Sequence, residues 1–563
     1  GAPVVYTINA DPEFKENMCK LHFKSLQDAV DHLKSSSFRT DAYQYAEKVG
    51  SSYNLKQPVV MNVVYYDDTP LDNKSAYIYR GTTDVGKRAG DAEPKNSNLI
   101  EDINRTATNA ANTLTIKAGT KTAKPWIHHI VLRNSKNIVL DSLCIYSDPN
   151  GVGDNAIEMD INHANIGEKW NELNSRTGEG IDAGQHFFSN ANILVQNCMI
   201  GSDGFTGAHI SSYDGVTFKN NDFEIVAGAS MDKNYGASFK LLYCKNVKFI
   251  QNNFRGDHAT LMWIQEVQNM LVMNNVFWNT NKLMITNQGD QYPAAMRLVT
   301  QFSNPINNVG FFYNTYYLAE NNKTATVPSG YDFLQMTHTI SGGNGTIDVS
   351  TIKFQYNNCY SYDSDAHGRT ADDYVIKKDN GENLQTGPFL GTDLSDNENF
   401  CPNNFWSQYD DDQENTTSAF AFGCSSNEFT DVKGQVCETT ASGPASLIVK
   451  GEALNNGVKP NITFTGITLT DEEWYADRYL TAVRPKSNEA WTYGAYQSKG
   501  VINTNTIYWV GVSDKWDDRN NWEYEVRDAS GKMIRQRVSC INNLSENLKV
   551  VIEEIGTVEV AGG

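Results

Sequence analysis

His186, His209, Lys240 and Trp263 occupy one place in a repeating pattern. Each stands seven residues ahead of the start of an apolar repeat, and each is followed by an apolar residue: Phe187, Ile210, Leu241 and Ile264. If those apolar residues face a core, the four preceding them face outward on successive strands. Parallel strands lie about 4.8 Å apart, so the column would run about 14 Å, the reach of a few sugar units. An indole beside two imidazoles and an ammonium suits a carbohydrate that carries carboxylates. Elimination on a uronic-acid polymer needs a group that neutralises the uronate carboxylate and a base for the adjacent proton. His209, with an ordinary imidazole pKa of about 6.5, or Lys240, if burial or a neighbouring cation lowers its pKa, could be that base. His186 could then assist the carboxylate while Trp263 holds the sugar. The plainer alternative is four unrelated surface residues, and an alignment error of one residue would turn the column inward.

A second set is acidic. Asp148, Asp203 and Asp257 each follow the third apolar position of a repeat by three residues and could hold Ca²⁺ as a stacked set. The alternative is that each bonds its own turn. Glycoside hydrolysis needs two carboxylates across a groove. Glu158 with Asp160, or Asp203 with Asp232 or Asp257, could form such pairs, but among 67 acidic residues a pair carries little specificity. The sequence contains no phosphate loop, zinc-ligand spacing or nucleophile elbow.

The elements that must position these residues can be read from seven segments, which begin at Ile138, Ile193, Val216, Val247, Met270, Val309 and Ile352. A second apolar column follows two residues on: Leu140, Val195, Phe218, Phe249, Val272, Phe311 and Phe354. A third follows seven residues on: Ile145, Ile200, Phe223, Phe254, Phe277, Tyr316 and Cys359. Between them Asn221, Asn252, Asn275, Asn314 and Asn357 recur at the fifth offset. Two short strands joined at a polar bend, repeated at 23 residues or more, predict coils that stack as a parallel β-helix. The asparagines are expected to occupy the left-handed bend and to bond the next coil through their amides. An antiparallel β-protein with chance similarity is the alternative.

With 563 residues, the chain has room for a solenoid and accessory parts. A cap and irregular first coils are expected over 1–125, the β-helix over 126–500 with a loop-rich insertion at about 360–445, and a small β-module over 501–563. Phe23, Leu26, Val30 and Leu33 have helical spacing and predict a capping helix. The formal charge of −20 argues against a nucleic-acid partner. No apolar run is long enough to cross a bilayer, and the opening Gly-Ala-Pro has no signal-peptide pattern and could be a trimmed start. Of nine cysteines, Cys144, Cys198 and Cys359 fall in or beside core columns and read as buried thiols. A disulfide among Cys401, Cys424 and Cys437 is compatible with an oxidising compartment.

These repeats resemble those of right-handed parallel β-helix proteins of the pectin-lyase-like superfamily. Phe23-Lys-Ser-Leu-Gln-Asp-Ala-Val30 is similar to the phrase that opens many of them. Arg484-Pro485 with Tyr493-Gly-Ala-Tyr496 resembles the closing phrase of secreted bacterial members, although Trp491-Thr492 departs from it. Trp509-Val-Gly511, Trp516 and Asn521-Trp522 resemble a short module of bacterial surface proteins. The resemblance implies a secreted or cell-surface protein, in the periplasm or on the outer-membrane exterior of a bacterium, with a polysaccharide as partner. Phe239 to Glu266 looks like the region that carries catalytic Lys and Arg in alginate- and chondroitin-cleaving members. Here Leu242 takes the lysine position, and Ile264 and Gln265 take those of the arginine and following histidine. Gln265 is therefore expected beside Trp263 as a substrate contact. Two classes remain open: a polysaccharide-binding protein acting as a lyase, and a non-catalytic adhesin or scaffold that presents loops.

Overall fold

A strand with an apolar residue at every second position can bury that face by pairing with its copy one coil away. In the computed structural model these strands pair in that way. It describes residues 2–36, 43–65, 79–82, 96–119, 124–146, 155–160, 190–202, 206–225, 237–256, 260–279, 294–300, 305–318, 332–338 and 351–361. Beyond these it describes 375–377, 383–386, 389–390, 405–408, 457–461, 464, 466–476, 484–489, 491–495, 506–511, 521–527, 533–537 and 549–552.

The first apolar column is continuous and parallel: Ile138, Ile193, Val216, Val247, Met270, Val309 and Ile352 pair in that order. The third, from Ile145 to Cys359, pairs in the same sequence of coils. Three long parallel sheets result, of eleven, nine and nine strands. The first sheet includes Val4–Ile8, Val59–Val63 and Leu114–Ala118 and ends at Ile352–Gln355. The second runs from Trp126–His128 to Phe405–Gln408, and the third from Asn98–Glu101 to Phe389–Leu390. Each regular coil gives one strand to each sheet. The chain is a parallel β-helix whose stacking begins at its first strand.

Like residues stack on like inside the solenoid. Phe223, Phe254, Phe277 and Tyr316 lie ring on ring, with successive centroids 4.6, 4.9 and 4.9 Å apart. The corner between the first two sheets is polar yet fully buried. Asn221, Asn252, Asn275, Asn314 and Asn357 have no exposed surface. Each of the first four donates its amide to the side-chain oxygen of the next, at 3.0–3.1 Å. The same oxygen accepts the backbone N–H of the asparagine below, and the amide also donates to a strand carbonyl, as Asn252 does to Phe218. The amide ladder is as expected, but the left-handed position is one residue earlier. Asn220, Gln251, Asn274, Tyr313 and Tyr356 carry φ of 53, 59, 58, 54 and 58°. The bend is thus shared: one residue supplies the turn, and the next supplies the bonds.

The capping helix spans Leu26–Leu33, with Ser25 accepting the Asp28 N–H at its start. It buries Leu26, Ala29, Val30 and Leu33 against the core. Gln27 also faces the first strand of the third sheet, accepting from Leu99 N at 2.7 Å and donating to Leu99 O at 3.2 Å. One side chain therefore does for that edge what a preceding coil would do.

The chain returns along the solenoid as a strap. Glu472 and Glu473, on the short helix Asp471–Tyr475, pair with Lys219 at 2.6 Å and Lys248 at 3.1 Å. Arg484 is wholly buried, donates to Asn274 Oδ1 at 2.7 Å and lies over the Tyr313 ring at 4.3 Å. A four-stranded module of Thr506–Trp509, Trp522–Arg527, Met533–Arg537 and Lys549–Ile552 follows. Its Val510 packs with Trp126, Cys144, Tyr146 and Met199 on the second sheet. Burial pushes the Cys198 and Cys244 thiols up to about 12, so both are inert core groups. Cys401, Cys424 and Cys437 lie outside the described residues, and so does the side chain of Cys359. Among the described residues no helix is long and apolar enough to cross a membrane.

Candidate functional site

The third sheet carries the chemistry-bearing column. Its strands Asn155–Asp160, Thr206–Ser211, Ala237–Leu242, Thr260–Gln265 and Ala294–Thr300 are consecutive and parallel. Ile157, Met159, Ala208, Ile210, Phe239, Leu241, Met262, Ile264, Met296 and Leu298 all join the core. Strand alternation then puts the intervening residues on the outer face. Glu158 pairs with His209, His209 with Lys240, Lys240 with Trp263 and Trp263 with Arg297. Four steps of about 4.8 Å make a column about 19 Å long.

Three of the expected residues, His209, Lys240 and Trp263, thus share one column. The fixed offset also expected His186 beside His209, but the residue paired there is Glu158. The reason is connection length: the strand of that coil ends at Asp160, and the next repeat begins only at Ile193. His186 lies outside the described residues, as do Asp148, Asp203 and Asp257. Glu158 and Arg297 extend the column at either end and do not share the offset. The signal that marks them is local: a charged residue between two core residues, Ile157-Glu158-Met159 and Met296-Arg297-Leu298.

Side-chain contacts fix the middle of the column. The Arg297 guanidinium lies 5.4 Å from the Trp263 ring centroid, within cation–π range. Trp263 Nε1 donates to Gln265 Oε1 at 3.3 Å, and Gln265 Nε2 donates to the Tyr243 hydroxyl at 2.8 Å. Burial, then the nearby Glu266 carboxylate, push the Tyr243 phenol far above its usual range, so it stays protonated. Gln265 occupies the next outward column, opposite Leu242. Ile264 faces the core, so the position aligned with the arginine does not present its side chain on this surface.

At the acidic end, Glu158 Oε1 accepts from Asn155 Nδ2 at 2.8 Å and lies 3.5 Å from His129 Nε2. His129 Nδ1 is 2.8 Å from Ser97 Oγ. His129 and Ser97 have no exposed surface, so this trio anchors the carboxylate from behind. The face itself is largely covered. Lys240 and Trp263 are each 9 % exposed and Arg297 3 %, while His209 is half-buried. A cation, an indole and a second cation are held in register on a surface of low exposure, where charge acts more strongly than in open water.

No protein-family model and no curated protein sequence matches this chain. What can be stated of its class is the architecture: a parallel β-helix with an N-terminal helical cap and a C-terminal β-module.

Proposed function

We propose that this chain is a secreted or cell-surface bacterial β-helix protein of the pectin-lyase-like type, and that it binds a uronate-containing polysaccharide along the outer face of the third sheet. The observation that carries this reading is the in-register column His209, Lys240, Trp263 and Arg297. Trp263 offers a ring to the apolar face of a sugar, with Gln265 holding its indole N–H. Lys240 and Arg297, two coils apart, offer positive charge to successive carboxylates. In the catalytic form His209 or Lys240 takes the proton next to the uronate carboxyl, and the C–H electron pair becomes the new C=C bond. The bond to the glycosidic oxygen breaks, and that oxygen takes a proton from solvent water as it leaves. Arg297, and His186 if it reaches the site, would neutralise the carboxylate as negative charge grows. Asp148, Asp203 and Asp257 are the residues that would hold Ca²⁺.

A second reading, a non-catalytic adhesin or scaffold, is favoured by the low exposure of Lys240, Trp263 and Arg297. One experiment separates the two: ultraviolet absorbance over time on a panel of uronate polymers, with Ca²⁺ and then with chelator. A rising unsaturated-sugar signal, lost in His209→Ala or Lys240→Met, is the outcome expected of a lyase. A flat trace together with Trp263-dependent retention on the polymer means binding alone. A flat trace with no retention removes the carbohydrate reading.

A further inference from the structure

The strap presents a second group of aromatic and cationic residues, away from the third sheet. Lys459 Nζ lies 4.6 Å from the centroid of the Trp474 ring and 5.0 Å from that of Tyr475. It is also 3.3 Å from the Tyr475 hydroxyl, which donates to Asn488 Oδ1 at 3.0 Å. Lys486 Nζ lies 5.6 Å from the Tyr475 centroid, so the two ammonium groups are no further apart than those two distances together allow. Trp474 and Lys459 are half-buried, and Lys486 and Asn488 are exposed.

The charges around this cluster are sorted. Glu472 and Glu473, next to Trp474 in sequence, turn to the solenoid and pair with Lys219 and Lys248. In a chain of net charge −20 a lysine has many carboxylates to choose from. Yet among the described residues neither Lys459 nor Lys486 has one within ion-pair distance, and exposed Asp471 and Glu489 pair with neither. Aromatic faces hold the two ammonium groups instead. A ring orients a cation without cancelling its charge, whereas a carboxylate would do both. The cations are thereby held in place and left able to bind an anion.

We propose that Lys459, Trp474, Tyr475 and Lys486 form a binding subsite for an acidic polysaccharide. Carboxylates of the glycan meet the two ammonium groups, a sugar face lies on the exposed part of the indole, and hydroxyls bond Tyr475 and Asn488. The subsite shares its class of ligand with the proposed function but none of its residues. A polymer bound at both places would gain avidity through the linkage.

The test is affinity electrophoresis of the full chain in native gels containing polygalacturonate, with dextran and poly-glutamate as comparison polymers. Lys459→Ser combined with Lys486→Ser, and separately Trp474→Ala, should each weaken the polygalacturonate affinity by about threefold to tenfold. The circular dichroism should be unchanged and dextran without effect. Wild-type retardation in both strap variants overturns the subsite, and if Trp263→Ala reduces retardation the third-sheet reading survives it. The reverse pattern, with loss in the strap variants and none in Trp263→Ala, upholds the subsite and removes the third-sheet reading. Equal retardation by poly-glutamate through the same residues would mean a general anion surface and overturn the glycan assignment. No retardation of the wild-type chain overturns both.

Discussion

Two stacks of polar residues run along this solenoid, and they are built on opposite principles. At the corner between the first two sheets the stack is one residue type, asparagine, and each amide completes its neighbour's bonds. On the outer face of the third sheet the stack is Glu158, His209, Lys240, Trp263 and Arg297, and no two neighbours are alike. A repeating fold places equivalent positions one coil apart, so an interaction that satisfies one coil satisfies all of them if the residue is repeated. Where the residue changes from coil to coil, repetition has given way to a constraint from outside the stack. Uniformity marks what holds the coils together, and variety marks what they present.

The most direct way to break this comparison is to interrupt the uniform stack. Asn252→Leu removes the acceptor of Asn221 N and Nδ2 and the donor to Phe218 O and Asn275 Oδ1. Losing these four buried hydrogen bonds should lower stability by about 2–4 kcal/mol, read from the denaturant midpoint. An unchanged midpoint would show that the ladder contributes nothing. A smaller effect is expected where the strap meets the first sheet. Lys248 Nζ lies 3.1 Å from Glu473 Oε2 and donates to Thr468 O at 2.9 Å. A double-mutant cycle on Lys248 and Glu473 should return a coupling of about 1 kcal/mol, since the pair is only partly screened. The varied stack should respond least in stability. Lys240→Met, of similar volume, should stay within about 1 kcal/mol of wild type, because a volume-conserving swap keeps the packing of the side-chain stem. Retention on a uronate polymer should nonetheless fall. A loss of stability equal to that of Asn252→Leu would place Lys240 among the groups that hold the coils together and erase the distinction.

The same contrast decides what could be read without coordinates. Phe218, Phe249 and Phe254 announced their columns because burial selects bulk at a fixed spacing, and that spacing survives in the sequence. The asparagine ladder was legible for the same reason. Its geometry was only half legible: the left-handed residue is Asn220, Gln251, Asn274, Tyr313 or Tyr356, and no shared chemistry marks it. His209, Lys240 and Trp263 could be aligned because their coils close with connections of equal count. Glu158 and Arg297 could not, because the stretches between their strands and the next repeat differ in length, so an offset that works for one coil fails for its neighbour. The strap cluster left no trace of this kind. Lys459 and Trp474 meet through the path of a non-repeating segment, and nothing periodic records that path.

The smallest effect concerns pH. An asparagine amide has no proton to titrate in the ordinary range, so the ladder should contribute the same stability from acid to neutral. The cap that closes the N-terminal end of the solenoid is different. Burial lowers the pKa of His32, which packs against Phe23 and Tyr45 and faces the Tyr6 hydroxyl at 3.1 Å. The folded cap therefore prefers the neutral imidazole, while the unfolded chain protonates His32 near its ordinary value of about 6.5. The stabilisation is fully present above about pH 6.5 and is lost as pH falls below that value towards the folded pKa. The difference in denaturant midpoint between wild type and His32→Asn should shrink, or favour the variant, on going from about pH 7.5 to about pH 5. The difference between Asn252→Leu and wild type should stay constant across the same range. If both differences move together, the pH dependence belongs to the whole solenoid, and the cap is as uniform as the coils it closes.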